Sequence, residues 1–290
     1  MLVAAVLAAV QVLVADRFGI NVWTMEWGSY SDSIDWDHAV TRSTWYPVAS
    51  TLVASVITYR VCRRAPWSWL WLPPAAWLGS CLTAVPLLYG LASAVPDDGR
   101  INSSPSVVVG SAILGGAIGG AAAMVALRHR EVGVGLVVYT LWVSFLEFTR
   151  PWWWERAPAF DPMLTERVLT GTGEYVVKAK IIEAGGVTAG LIGPVIVSGI
   201  VAAWAAVQRG RWRSGVVAGV AGPLLLCSVY LTIDSGMGDQ DSMQLTLWYY
   251  SILAVLIGLC VSAVTATVAQ ITAKWVQGGS YRLRHSKSGL

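Results

Sequence analysis

Long apolar runs separated by arginine clusters dominate this chain and leave it few possible folds. Eight runs stand out, at about residues 1–20, 46–62, 74–95, 106–127, 132–149, 185–207, 214–233 and 246–271. About 20 apolar residues, rising about 1.5 Å each, cross a hydrocarbon core of about 30 Å. Each run therefore predicts one transmembrane helix; the first is the weakest, because Asp16 and Arg17 interrupt it. Only 13 % of the 290 residues are charged, against about a quarter in soluble proteins. That excludes a soluble domain and a disordered chain. A net charge of +3 is too small for a surface that follows nucleic-acid phosphates. The expected fold is an all-α polytopic membrane protein with about eight helices, and its first partner is the lipid bilayer.

The arginine clusters orient the chain. Arg60-Val-Cys-Arg63-Arg64, Arg128-His129-Arg130 and Arg209-Gly-Arg211-Trp-Arg213 fall at alternate junctions, and Lys274, Arg282, Arg284 and Lys287 follow the last run. With both termini inside, this side collects twelve of the twenty basic residues and one acid, Glu131. Sixteen of the seventeen acids lie on the other side. Basic residues gather on the cytoplasmic side of membrane proteins, so the expected topology is N-in and C-in. Arginine outnumbers lysine sixteen to four, a bias of GC-rich bacterial genomes, and the expected location is a bacterial plasma membrane. Met1–Ala15 resembles a signal-peptide core but has no basic start and no small-residue cleavage site. It is expected to remain as a helix, and the natural start lying upstream of Met1 stays open.

Loop lengths alternate. Outer loops 21–45 and 150–184 are long, 96–105 and 234–245 are short, and the inner loops are tight. The pattern suggests a 4+4 parallel repeat, with units at 1–130 and 131–276 and a basic tail at 277–290; parallel repeats occur in transporter folds. Asp32 and Asp35 are placed to start a helix that runs into the second span. In the third outer loop, two readings stay open: a short helix from Asp161-Pro162 to Gly171, or a hairpin over Arg167–Lys180 turning at Thr170–Gly173. Pro73-Pro74 predicts that Pro66–Leu72 lies along the inner interface and that the third span starts near Pro74.

Candidate functional residues are few. Ionisable groups inside spans are functional candidates by default. Glu147 lies seventeen residues past Arg130, about 25 Å along a helix, just inside the hydrocarbon. Asp16 and Arg17 lie about as deep. A structural ion pair, with Arg17 on Asp16 or Glu147, and an outward-facing substrate or proton site are the competing readings. Gly115, Gly116, Gly119 and Gly120 form two GxxxG pairs, a small-residue face for close helix packing or for a homodimer or other membrane partner. Asp32, Asp35 and Asp37 mix with Trp23, Trp27, Trp36 and Trp45 in the first outer loop, and Trp152, Trp153 and Trp154 open the third. The tryptophans fit an interfacial belt. An outer aromatic and acidic platform for a sugar or headgroup is the sharper alternative. Asp32, Asp35, Asp37 and His38 match no calcium loop. Cys62, Cys81, Cys227 and Cys260 have no ligand spacing and are expected to be buried hydrophobes. No metal and no cofactor is expected, and no hydrolase, zincin or nucleotide-binding motif is present. Three function classes remain: a permease-like transporter with an outward polar site near Glu147, a non-catalytic subunit that assembles through its Gly-rich helix, and an outer-face enzyme acting on lipid-linked substrates.

Overall fold

The computed structural model describes residues 1–18, 31–62, 67–93, 105–153, 165–169, 175–179, 193–232 and 241–287. They are helical apart from one short hairpin. The helices are α1 (Leu2–Arg17), α2 (Ser31–Val61), α3 (Ser68–Ser93), α4 (Pro105–Arg128), α5 (Arg130–Trp153), α6 (Ser198–Arg209), α7 (Trp212–Thr232) and α8 (Asp241–Lys287), and a π-helical turn at Gly193–Val197 leads into α6. Four stretches among them are long and apolar enough to cross a membrane: α3, α4, Trp212–Leu231 of α7 and Ser251–Val276 of α8.

The helices form two groups. In the first, α2 packs against α1, α3 and α4, and α3 packs against α1 and α4. In the second, α7 packs against α5, α6 and α8, and α6 packs against α8. Contacts between the groups, α4 on α5 and α7 and α2 on α5, are fewer. Between α4 and α5 stands one non-helical residue, His129. Its amide donates to the Val125 carbonyl at 2.9 Å, and its own carbonyl accepts from the Gly133 amide at 2.9 Å. A Cβ on Gly133 would strike the Ala126 backbone, so only glycine allows this tight a reversal. The turn between α6 and α7 uses Gly210 in the left-handed region (φ 63°), where glycine carries no Cβ penalty. Gln270 of α8 donates to its carbonyl.

Apolar packing alone gives helices little reason to associate in lipid, so close backbone approach and polar contacts matter more. The α4 glycines show this within the chain. A Cβ on Gly115 would fall on the Thr44 carbonyl and one on Gly119 on the Val48 backbone, both of α2. One on Gly116 would strike Trp77 and Cys81 of α3. Gly120, also buried, faces the Pro73 carbonyl at a looser 4.0 Å. Trp77 Nε1 donates to the Ile113 carbonyl at 3.2 Å, and Ser50 and Ser80 link α2 to α3 through their hydroxyls at 3.1 Å. Ser50, Ser55 and Thr265 satisfy themselves by bonding carbonyls one turn back.

Several expectations change. The helix α3 starts at Ser68 and continues through Pro73 and Pro74. The amide bonds the prolines forgo lie in its first two turns, close to the arginine-rich end, where water and headgroups can reach the freed carbonyls. Asp32 and Asp35 do fall in the first turns of α2, which runs unbroken past Pro47. The loop expected at 21–45 is therefore helical from Ser31 onward. Between α5 and α6 the hairpin is present: Thr165–Leu169 pairs antiparallel with Tyr175–Ala179, with Thr165 opposite Ala179 and Leu169 opposite Tyr175. The alternative short helix ending at Gly171 is not formed there, and Asp161-Pro162 lies outside the described residues. The basic tail is helical to Lys287. All four cysteines are free, but Cys62 and Cys260 are exposed and only Cys227 is buried.

Candidate functional site

The described residue least at home in an apolar bundle is Arg42. Its helix, α2, is buried on every side from Val40 to Leu52, and Arg42 itself is 1 % exposed. Thr41, Ser43 and Thr44 complete a wholly buried polar turn, in which Thr44 Oγ1 bonds the Val40 carbonyl at 3.1 Å. Gly115 holds this turn in place, since any larger residue would push α4 off the Thr44 carbonyl.

Contacts between α2 and α5 set the register around Arg42. Trp45 Nε1 donates to Ser144 Oγ at 3.3 Å. Tyr46 stacks on Phe148, with ring centroids 6.4 Å apart and planes 18° apart. Ser144 and Phe148, four apart, therefore mark the face of α5 that turns toward α2, and position 147 stands between them in sequence. Heights agree as well. Arg42 stands eighteen residues from Arg60, about 27 Å, and position 147 seventeen from Arg130, about 25 Å. Asp35 and His38 precede Arg42 by seven and four residues, along one stripe of the same helix.

The first helix reaches the same level from the other side of α2. Ala4 packs with Ala54 and Ala76, which sets the end of α1 about 29 Å above the level of Arg60. Asp16 there is half-buried and Arg17 exposed. Neither forms an ion pair among the described residues. Their helix, α1, packs on α2 and α3. The remaining sequence candidates are placed only by backbone: Asp32, Asp35 and Asp37 in the first two turns of α2, and Trp152 and Trp153 in the last turn of α5. Trp154 lies outside the described residues. Trp45, expected in an interfacial belt, is instead a core residue at 1 % exposure.

Sequence reasoning missed Arg42 by assigning it to an outer loop. The signal was its spacing: about 27 Å from Arg60 is less than the thickness of a hydrocarbon core. No group of three or more histidines, cysteines or carboxylates suited to a metal occurs among the described residues. Compared with known proteins, the chain matches no family, no curated protein and no solved structure.

Proposed function

We propose that this is a multi-pass protein of a bacterial plasma membrane with permease-like architecture, and that its substrate or proton site lies near Glu147 and opens outward. In this reading eight helices span the bilayer with both termini inside, and units 1–130 and 131–276 are parallel repeats. The arginine asymmetry supports the topology. The repeat is supported by neighbours: in both groups the first helix packs on the third, the second on the fourth and the third on the fourth, while the first and fourth lack extensive contact. The Gly-rich face of α4, the proposed partner surface of a non-catalytic subunit, is filled by α2 and α3.

One observation carries the site: an arginine buried inside the bundle, level with position 147 across the α2–α5 contact. Buried intramembrane charges mark ion and substrate paths, and a carboxylate beside a guanidinium suits an anionic solute or a coupled proton. The test is flux in vesicles that hold the purified chain and a pH-sensitive dye, with anionic solutes added outside. Solute-dependent proton movement is expected in the wild type and is lost in Glu147→Gln. Movement at the wild-type rate in that variant overturns the site.

A further inference from the structure

At the arginine-rich end, a cavity of about 460 Å³ opens on the seam between the two helix groups. Four helices each bring arginine to it: Arg60 from α2, Arg128 from α4, Arg130 from α5 and Arg209 from α6. The short reversal at His129, which Gly133 permits, is what sets Arg128 and Arg130 side by side. Among the described residues, one acid answers these cations. Glu131 accepts a hydrogen bond from Arg209 Nε at 2.5 Å. Arg60, Arg128 and Arg130 are exposed and form no ion pair among the described residues.

The wall changes character within two turns. Val56 lies one turn from Arg60, and Val134, Val137 and Val138 lie one to two turns from Arg130. The cavity therefore presents cations at its mouth and valines up to about 12 Å deeper. Water-soluble anions gain nothing from valines, and a neutral lipid gains little from three exposed guanidinium groups. A phosphate ester with an attached acyl chain fits both parts, and basic pockets between membrane helices on the cytoplasmic side bind such headgroups. The volume is too small for a folded partner.

We propose that this cavity is a binding site for an anionic phospholipid, its phosphate held by Arg60, Arg128 and Arg130 and one acyl chain laid along Val134, Val137 and Val138. The site stands independently of any transport activity. By bridging α2, α4, α5 and α6, the lipid fastens the two helix groups together at this end.

The experiment uses the purified full chain in neutral detergent, titrated with short-chain phosphatidylglycerol and followed by native mass spectrometry and thermal unfolding. Saturable binding of one lipid and a raised Tm are expected. Phosphatidylcholine with the same chains, and inorganic phosphate at equal ionic strength, give neither. Arg60→Gln and Arg130→Gln each weaken binding about fivefold. Val137→Trp, which fills the wall and leaves the charge unchanged, weakens it too. Equal binding of phosphatidylcholine overturns the proposal, and so does reproduction of the Tm shift by inorganic phosphate, which would mark a free-anion site. Wild-type affinity in Val137→Trp, or in folded arginine variants, overturns it as well.

Discussion

Trp45 donates its indole N–H to Ser144 across the line where the two helix groups meet. Trp45 stands fifteen residues from Arg60 and Ser144 fourteen from Arg130, so the two are level, and Tyr46 and Phe148 stack beside them. Hydrogen bonds between membrane helices contribute about 0.6 kcal/mol on average and about 1.7 at most. A double-mutant cycle of Trp45→Phe and Ser144→Ala, read by unfolding in mixed micelles, is expected to give a coupling within that range. Simple additivity would show that this bond does not join the groups.

Glycine positions on the helices separate into tight and open ones. Gly115→Ala sets a methyl against the Thr44 backbone, and overpacking of this kind costs about 1–3 kcal/mol. Gly110 of the same helix has nothing within 4 Å of a new Cβ, so Gly110→Ala is expected to stabilise by up to about 1 kcal/mol through helix propensity. The comparison of the two melting temperatures is the check. Equal shifts in both variants would contradict the packing of α4 on α2.

The proposed site makes a charge prediction. Removing one member of a buried pair costs about 3–5 kcal/mol, because the other charge is left uncompensated. Arg42→Met alone is expected to destabilise by that order. Combining it with Glu147→Gln should recover a large part of the loss in the same unfolding assay. Additive destabilisation in the double variant would mean that Glu147 does not balance Arg42.

The pair between Glu131 and Arg209 predicts a pH dependence. The Arg209 guanidinium bonded to Glu131 holds its carboxyl below the ordinary glutamate range. A carboxylate with a depressed folded-state value stabilises at pH above its unfolded value, and that contribution fades as pH falls through the folded one. Glu131→Gln is expected to melt slightly lower than wild type at neutral pH. The difference should vanish in acid, below the ordinary carboxylate range. Because Arg209 is exposed, the effect is small and shrinks further in high salt.

Apolar runs and basic clusters located most helices because both report directly on lipid and headgroup contact. They located α4 to within a residue at each end and α7 to within two. They failed where protein, rather than lipid, surrounds the chain. Residues 41–44 of α2 read as loop because Thr41, Arg42, Ser43 and Thr44 are polar, yet neighbouring helices bury all four. Hydropathy measures transfer to lipid and is blind to a buried polar turn that α4 approaches closely at Gly115. Trp45 was misplaced for the same reason: an indole that finds a hydroxyl partner on α5 has no need of the interface. The hairpin was legible in part, since Thr170–Gly173 supplied the turn chemistry while the flanking residues satisfied both a helix and a strand pattern.

The reversal at His129 has a mechanical consequence. One non-helical residue joins α4 to α5, so the end of α5 beside it cannot slide away from α4; it can only tilt. With the fulcrum fixed among the arginines, α5 is a lever of about 25 Å up to position 147. A tilt of about 10° at the fulcrum moves that position by about 4 Å on this lever arm. That is enough to part Trp45 from Ser144, while Arg128 and Arg130 hardly move. Any opening of the seam is therefore lopsided: wide at the end that carries Arg42, and shut at the end that carries the lipid cavity.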